Sequence, residues 1–364
     1  MATLEDPRTA TALESTARSL PSVAARGSDY ADLSRRIRRS GLLDRRPAYY
    51  LAKIASTTGI LAAGWAAFLL LGDSWWQVAV AVYLAFAFTQ VSFLGHDAGH
   101  RQVFRTKRAN GLLGLALGNL LVGLSFGWWV GKHNRHHSHP NQVDLDPDIT
   151  IGAVAFTADQ ARSKRGVTRL IVRYQAYLFF PMLLLEAMHL HAASVRAVAR
   201  GAVKLHVVEA LLLVAHGIGY LAGLLLVLSP PRAAVFLIVQ QSLFGLYLGC
   251  AFAPNHKGMP VVEGGEDPGF LRRQVLTSRN VRGGRLTDFL LGGLNYQIEH
   301  HLFPSMPRPS LRRSQPIIRE FCAERRISYS ETGIVRSYAE ALRHLHQAGA
   351  DLRRPAGATR SQAR

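Results

Sequence analysis

Three histidine clusters interrupt an apolar, arginine-rich chain: His96-Asp-Ala-Gly-His100, His133-Asn-Arg-His136-His137 and Gln297-Ile-Glu-His300-His301. Their nitrogen-bearing side chains recur at i, i+4 or i, i+3, i+4, so on a helix each cluster turns to one face. Neutral imidazole is a ligand for iron, copper, zinc and nickel, and two such ions need roughly this many nitrogens. The clusters follow long apolar segments, which points to one metal site assembled from distant parts of the chain. A protease of the His-Glu-x-x-His type fits poorly. That motif needs a glutamate after the first histidine, where this chain has Asp97, and it leaves the other clustered histidines without work.

The elements that must carry these residues are set by charge-free stretches. Residues 54–72, 74–95, 210–231 and 233–255 contain no Asp, Glu, Lys or Arg. Each is long enough to cross a hydrocarbon core of about 30 Å at about 1.5 Å per residue. The expected fold is an all-α membrane protein with two transmembrane helical hairpins, spans about 49–71 with 75–95 and 208–229 with 232–253. A cytoplasmic helical domain holding a histidine-rich di-metal site caps them. The stretch 109–131 is also charge-free and glycine-rich. If it crossed, His100 and His133 would lie on opposite sides, too far apart to share ligands held at about 2.1 Å from a metal. It is therefore expected to be re-entrant or interfacial, as is 170–191, which contains Pro181. Residues 1–28 and 346–364 are expected to be disordered tails around a domain spanning 29–345. The segment 29–46 mixes Leu33, Ile37, Leu42 and Leu43 with arginines, and reads as either a basic helix on the membrane surface or a solvated linker.

The net charge is +19, from 43 Lys and Arg of which 37 are Arg. No nucleic-acid-binding motif accompanies it, so no nucleic-acid partner is expected. Topology accounts for the charge better. Residues 1–48, the 100–207 segment and the C-terminal tail are basic, whereas the turns at 72–74 and 229–231 carry no Lys or Arg. The positive-inside rule then puts both termini and the active site on the cytoplasmic side of the membrane. Cys250 and Cys322 do not read as a disulfide pair. The N-terminal stretch shows no short apolar region with a cleavage site, so the first span is expected to direct insertion.

In this order and spacing the clusters resemble the histidine boxes of the integral-membrane fatty acid desaturases. Gln297-Ile-Glu-His300-His301 followed by Leu302-Phe303-Pro304 is similar to the front-end, acyl-CoA or acyl-lipid branch. So is the run from Trp128-Trp129 through His137 to Pro140-Asn141 and Asp146-Pro147-Asp148. The likeness covers roughly residues 30–330 and implies a non-haem di-iron centre using dioxygen. Metal-ligand roles would fall on His96, His100, His133, His136, His137, His300 and His301. His256, after Asn255, matches the place where the family supplies another ligand. Gln297 stands where other branches carry histidine, and would ligate weakly or hold a water. No catalytic residue beyond the metal centre is implied. Abstracting hydrogen from an alkyl chain needs metal and dioxygen rather than side chains.

Second ring nitrogens need partners. Asp97, Glu299, Asn141, Asp146 and Asp148 are near enough in sequence to serve, although the aspartates could equally cap helices. His216, inside a span, is read as a hydrogen bond to a neighbouring helix. The resemblance implies a membrane lipid or acyl-CoA substrate and two external electrons per turnover. No fused haem domain is marked by a His-Pro-Gly-Gly run, so a separate donor is expected, a ferredoxin with its reductase in a bacterial cytoplasmic membrane. The expected reaction is insertion of a cis double bond into a long acyl chain. A lipid hydroxylase or ketolase of the same class is the alternative, and a receptor or transporter with structural metal ranks below both.

Overall fold

A computed structural model describes residues 26–150 and 152–354; most of the expected N-terminal tail and residues 355–364 lie outside the described residues. The described chain is helical, with one pair of two-residue parallel strands. After α1 (Arg26–Arg39), the first hairpin joins α2 (Pro47–Leu71) to α3 (Gln77–Gly99). Proline opens α2, and Gly72 closes it at φ 54°, a backbone conformation that suits glycine. The next arm is broken. α4 (Lys107–Gly114) continues as a π-helix (Leu115–Val122), then the path turns by 112° into α5 (Phe126–Ser138). Short helices α6 (Ala158–Ser163) and α7 (Gly166–Arg173) lead to a second bent pair, α8 (Gln175–Leu183) and α9 (Glu186–Ala199), at 70°. The second hairpin is α10 (His206–Val227) and α11 (Pro230–His256), again with proline in the first turn of α11. Beyond it lie α12 (Phe270–Leu276), β1 (Asn280–Val281), α13 (Arg285–Leu290), α14 (Gln297–Leu302), α15 (Arg308–Glu324), β2 (Glu331–Thr332) and α16 (Ile334–Ala348).

Among the described residues four helices, α2, α3, α10 and α11, are long and apolar enough to cross a membrane, and each bent pair would count as one more span by length. α3 is the central one: its apolar window is 67% buried, against 22%, 11% and 33% for the other three. Small residues and aromatics make that possible. Gly64 of α2 lets Leu84 and Tyr83 approach, and Phe88 of α3 meets Phe244 of α11 edge-on at 5.8 Å. The outer helices turn Leu69, Leu70, Leu225 and Leu226 outward. That apolar surface is tolerated where hydrocarbon replaces water.

Two expectations are corrected. The apolar stripe of the arginine-rich segment is covered by protein, not left for a membrane surface. Leu33, Ile37 and Leu42 are buried in a second core with Leu271, Ile298, Leu302 and Phe321. Arg36 pairs with Glu324 at 2.8 Å and Arg325 reaches Asp29 and Asp32 at 3.1 Å, so protein already covers the apolar stripe. The tail expected from residue 346 instead continues α16 to Ala348 and a 3-10 turn over Ala350–Leu352, because Leu345, Ala348 and Leu352 find buried positions. The fourth apolar helix contains the expected span and continues to His256, with Pro254 inside its last turn.

Candidate metal centre

Four elements carry the histidines to one place. α3 ends in His96 with His100 as its C-cap, α5 holds His133, His136 and His137 in its second half, and α11 ends in His256. α14 contributes His300 and His301 from a helix of six residues. The turn before α14 depends on Gly292 (φ 61°) and Gly293 (φ 79°). A Cβ at Gly292 would stand 2.5 Å from the Phe93 ring, and one at Gly293 2.7 Å from Arg308.

The eight rings form two groups. His96, His100, His133 and His300 offer nitrogens within 4.8 Å of one another, and His136, His256 and His301 form the other. His133 Nε2 is 2.9 Å from His100 Nε2 and 3.1 Å from His137 Nε2, so His137 adds a ring to the first group. In the second, His256 Nε2 is 3.3 Å from His136 Nε2 and 3.0 Å from His301 Nε2. Nitrogens ~2.1 Å from one ion stand ~3.0 Å apart at a right angle and ~3.4 Å apart at the tetrahedral angle. The spacings therefore fit shared ions.

Tautomers support the fit. His136 Nδ1 faces both oxygens of Asp146 at 3.0 Å, His256 Nδ1 faces the Thr277 carbonyl at 3.0 Å, and His301 Nδ1 faces Gln274 Oε1 at 2.9 Å. Those acceptors favour the tautomer in which Nδ1–H donates to them, which leaves three Nε2 lone pairs pointing at one another. Lone pairs so placed repel unless a cation lies between them. His96 Nε2 and His300 Nε2 are buried without a protein partner, as ligands awaiting an ion would be. Burial first, and then the mutual repulsion of the rings, hold His100, His133, His137, His300 and His301 well below the ordinary imidazole range. Neutral imidazole is the ligating form.

The proposed supporting residues divide. Asp146 is fully buried, grips His136, and accepts the Asn141 and Asp148 amides at 2.8 Å. Burial raises its carboxyl, but the His136 hydrogen bond and the nearby Lys257 charge help to leave it lowered. Asp148 stands 3.5 Å from His136 Nδ1 and is paired with Lys132. Asp97 lies 3.6 Å from His96 Nδ1, beyond a hydrogen bond, and its partner is Arg308 at 2.7 Å. Asn141 (φ 53°) reaches the carbonyls of His256, Pro260 and Thr277, so it braces backbone. Gln297 Nε2 contacts His256 Nε2 at 2.9 Å, and Asn255 supports Gln297 Oε1 at 3.3 Å.

Glu299 is a correction: it touches no imidazole. Its carboxylate accepts from Asn280 (2.7 Å) and Tyr329 (2.6 Å), and burial pushes it up to about 7. Sequence reasoning missed Gln274, whose Nε2 also holds the His137 carbonyl at 2.8 Å, and Arg308, which reaches across to Asp97 and the Phe93 carbonyl. It also missed Arg279, buried and tied to the carbonyls of Pro254 and Lys257 beside His256. No local signal marks them, because their partners are far away in sequence. His189, His191, His216, His344 and His346 stand outside both groups.

The family model for fatty acid desaturases matches residues 73–333. An acyl-lipid (9-3)-desaturase of Physcomitrium patens is 30% identical, the alignment covering 88% of this chain and 62% of that protein. A Delta(6)-fatty-acid desaturase of Caenorhabditis elegans is 31% identical over 87% of this chain and 74% of its own length, and a Delta(5) enzyme of the same organism 30% over 82% and 69%. All eight clustered histidines fall inside the matched stretch, and the chain belongs to the fatty acid desaturase family, a family of oxidoreductases.

Proposed function

We propose that this chain is a membrane fatty-acyl desaturase that inserts a cis double bond into a long acyl chain at a non-haem di-iron centre. The observation that carries the reading is the convergence of Nε2 atoms from four separate elements, 2.9–3.3 Å apart, with an Nδ1 acceptor behind His136, His256 and His301. Iron bound there would supply the dioxygen activation that no side chain provides. His96, His100, His133, His137 and His300 would hold one ion, and His136, His256 and His301 the other. Gln297 would release His256 when that ring takes its ion. The reaction balances when one CH2–CH2 unit, one dioxygen, two electrons and two protons give one CH=CH unit and two waters.

The protein's own contribution is orientation and dryness. Asp146, Thr277 and Gln274 hold three rings by their second nitrogens, and the rings are nearly all buried. The arginine distribution, with turns at 72–74 and 229–231 that carry no Lys or Arg, supports a centre on the cytoplasmic side of the membrane. The substrate is a membrane lipid or acyl-CoA. Relatives are named for positions 5, 6 and 8, which supports a bond on the carboxyl side of the chain's middle. Electrons would come from a small acidic ferredoxin with its reductase, steered by a basic face.

The test is fatty-acid profiling of a bacterial host that makes no polyunsaturates, with ferredoxin and reductase co-expressed and His136→Ala as control. A new alkene in wild type and none in the control is expected, its position located by mass spectrometry. A hydroxylated or keto product would instead make the chain an oxygenase of the same site.

A further inference from the structure

The 112° break between the π-helix and α5 strands backbone groups that an unbroken helix would pair, and it does so among apolar helices, where each unpaired group is costly. Every one of the first amides of α5 has a side-chain partner. Ser125 N donates to Ser194 Oγ (3.0 Å), Phe126 N to Asn119 Oδ1 (3.0 Å), Gly127 N to Glu209 Oε2 (3.3 Å) and Trp128 N to Ser125 Oγ (3.2 Å). On the other arm the Leu120 carbonyl accepts from His216 Nδ1 (2.8 Å) and the Gly123 carbonyl from His191 Nδ1 (2.9 Å).

Glu209 is the hub. It is the sole acidic residue of α10 and 2% exposed, and the same oxygen also accepts from Ser125 Oγ (2.6 Å) and Asn119 Nδ2 (3.0 Å). The carboxylate sits so close to the backbone that a Cβ at Gly127 would lie 2.3 Å from Glu209 Oε1.

We propose that Glu209, acting through Asn119 and Ser125, is a positioning residue of the metal centre. By holding the N-terminus of α5 it sets the depth and rotation at which His133, His136 and His137 meet the other five rings. Gly127 and His133 are six residues apart, about 9 Å of rise, and a slip of one residue would rotate the rings by about 100°. The far end of α5 is held at the site, by Asp146 on His136, Gln274 on the His137 carbonyl and Arg273 on the Ser138 carbonyl. The Glu209 clamp fixes the opposite end, away from the rings. This inference rests on the rings being ligands, as proposed above.

The experiment compares full-length wild type, Glu209→Ala and Glu209→Gln in detergent. It reads amide hydrogen exchange at Phe126–Trp128, bound iron per chain, and double bonds formed per electron consumed. Glu209→Ala is expected to exchange about tenfold faster or more at those amides, the low end of what an unpaired buried donor costs. It is also expected to hold less than half the wild-type iron and to lose coupling. Glu209→Gln, which keeps an acceptor oxygen, is expected to recover most of all three. If Glu209→Ala does not fold, Glu209→Gln is expected to fall between wild type and iron-poor protein on the same readouts. Unchanged exchange in the variants would overturn the clamp. Faster exchange with full iron content and coupling would overturn its positioning role. A wild type without iron would defeat the di-iron reading instead, while the exchange measurement still reported on the clamp.

Discussion

An acceptor behind the Nδ1 of His136, His256 and His301 decides which lone pair of each faces inward, so residues that never touch an ion should govern how well it is held. Asp146 backs His136 and Gln274 backs His301. Removing such a partner typically weakens metal binding by about 10–100-fold. Asp146→Ala and Gln274→Leu are therefore expected to lose iron to a chelator that leaves wild type loaded, while keeping wild-type helicity. Gln274→Glu, which retains an acceptor oxygen, is expected to hold iron better than Gln274→Leu. Glu299→Gln is expected to keep iron within about twofold, because its carboxyl bonds Asn280 and Tyr329 and no ring. Equal loss in all of them would mean that buried polarity in general, rather than ring orientation, holds the ions. The ring set was legible in the sequence because histidine type and spacing are local facts. Glu299 misled because neighbours one residue apart on a helix point about 100° apart, so proximity to His300 in sequence placed it on another side. Gln274 and Arg308 were illegible because each serves a histidine or aspartate presented by a different element.

Elements are where glycine acts. The stretch 109–131 showed its length and its lack of charge in the sequence, but nothing there marked where it bends. The bend comes at Gly123, at φ 80°, where a Cβ would lie 2.4 Å from the His216 ring. The turned arm then packs back so tightly that a Cβ on Gly114 would meet the Phe126 ring at 2.2 Å. Gly123→Ala combines left-handed strain with a clash, and is expected to destabilise by about 1–3 kcal/mol. Gly111, in the same stretch, sits in helical backbone with open space around its Cβ position. Gly111→Ala is expected to be neutral or to stabilise by up to ~1 kcal/mol. Thermal unfolding of both variants in one detergent checks the contrast, and equal melting points would show that the bend does not depend on Gly123. The amphipathic α1 carries a related lesson. Its apolar stripe was legible, yet a stripe does not say whether lipid or protein covers it, and here α12, α14 and α15 do.

At the scale of the whole molecule, two devices join the hairpins, and their chemistry predicts different worth. At the end away from the histidines, Asp73 accepts from Ser229 N (2.9 Å) and Ser229 Oγ (3.1 Å) and pairs with Arg232 at 2.5 Å. That pair is 40% and 29% exposed, so it should contribute no more than about 1 kcal/mol. Deeper in, Phe244 of α11 is fully buried against Phe88 of α3, and Phe236 meets Phe68 of α2 at 5.3 Å. Lipid offers apolar side chains no hydrophobic reason to associate, so these contacts must stabilise by close packing, and a void there cannot be refilled by water. Phe244→Ala is expected to cost about 3–5 kcal/mol, the range for truncating a buried aromatic. It should also do more than lower the melting point. α11 ends in His256, and α3 in His96 and His100, so loosening their contact separates ligands of the two ion groups. Phe244→Ala is thus expected to release iron at a temperature below its own unfolding transition, whereas Asp73→Ala should shift unfolding slightly and release iron only as it unfolds. Circular dichroism melts run beside iron release would separate the two events. Coincident transitions in Phe244→Ala would mean that the site is held by the short elements around α12 and α14 rather than by the packing of the long helices.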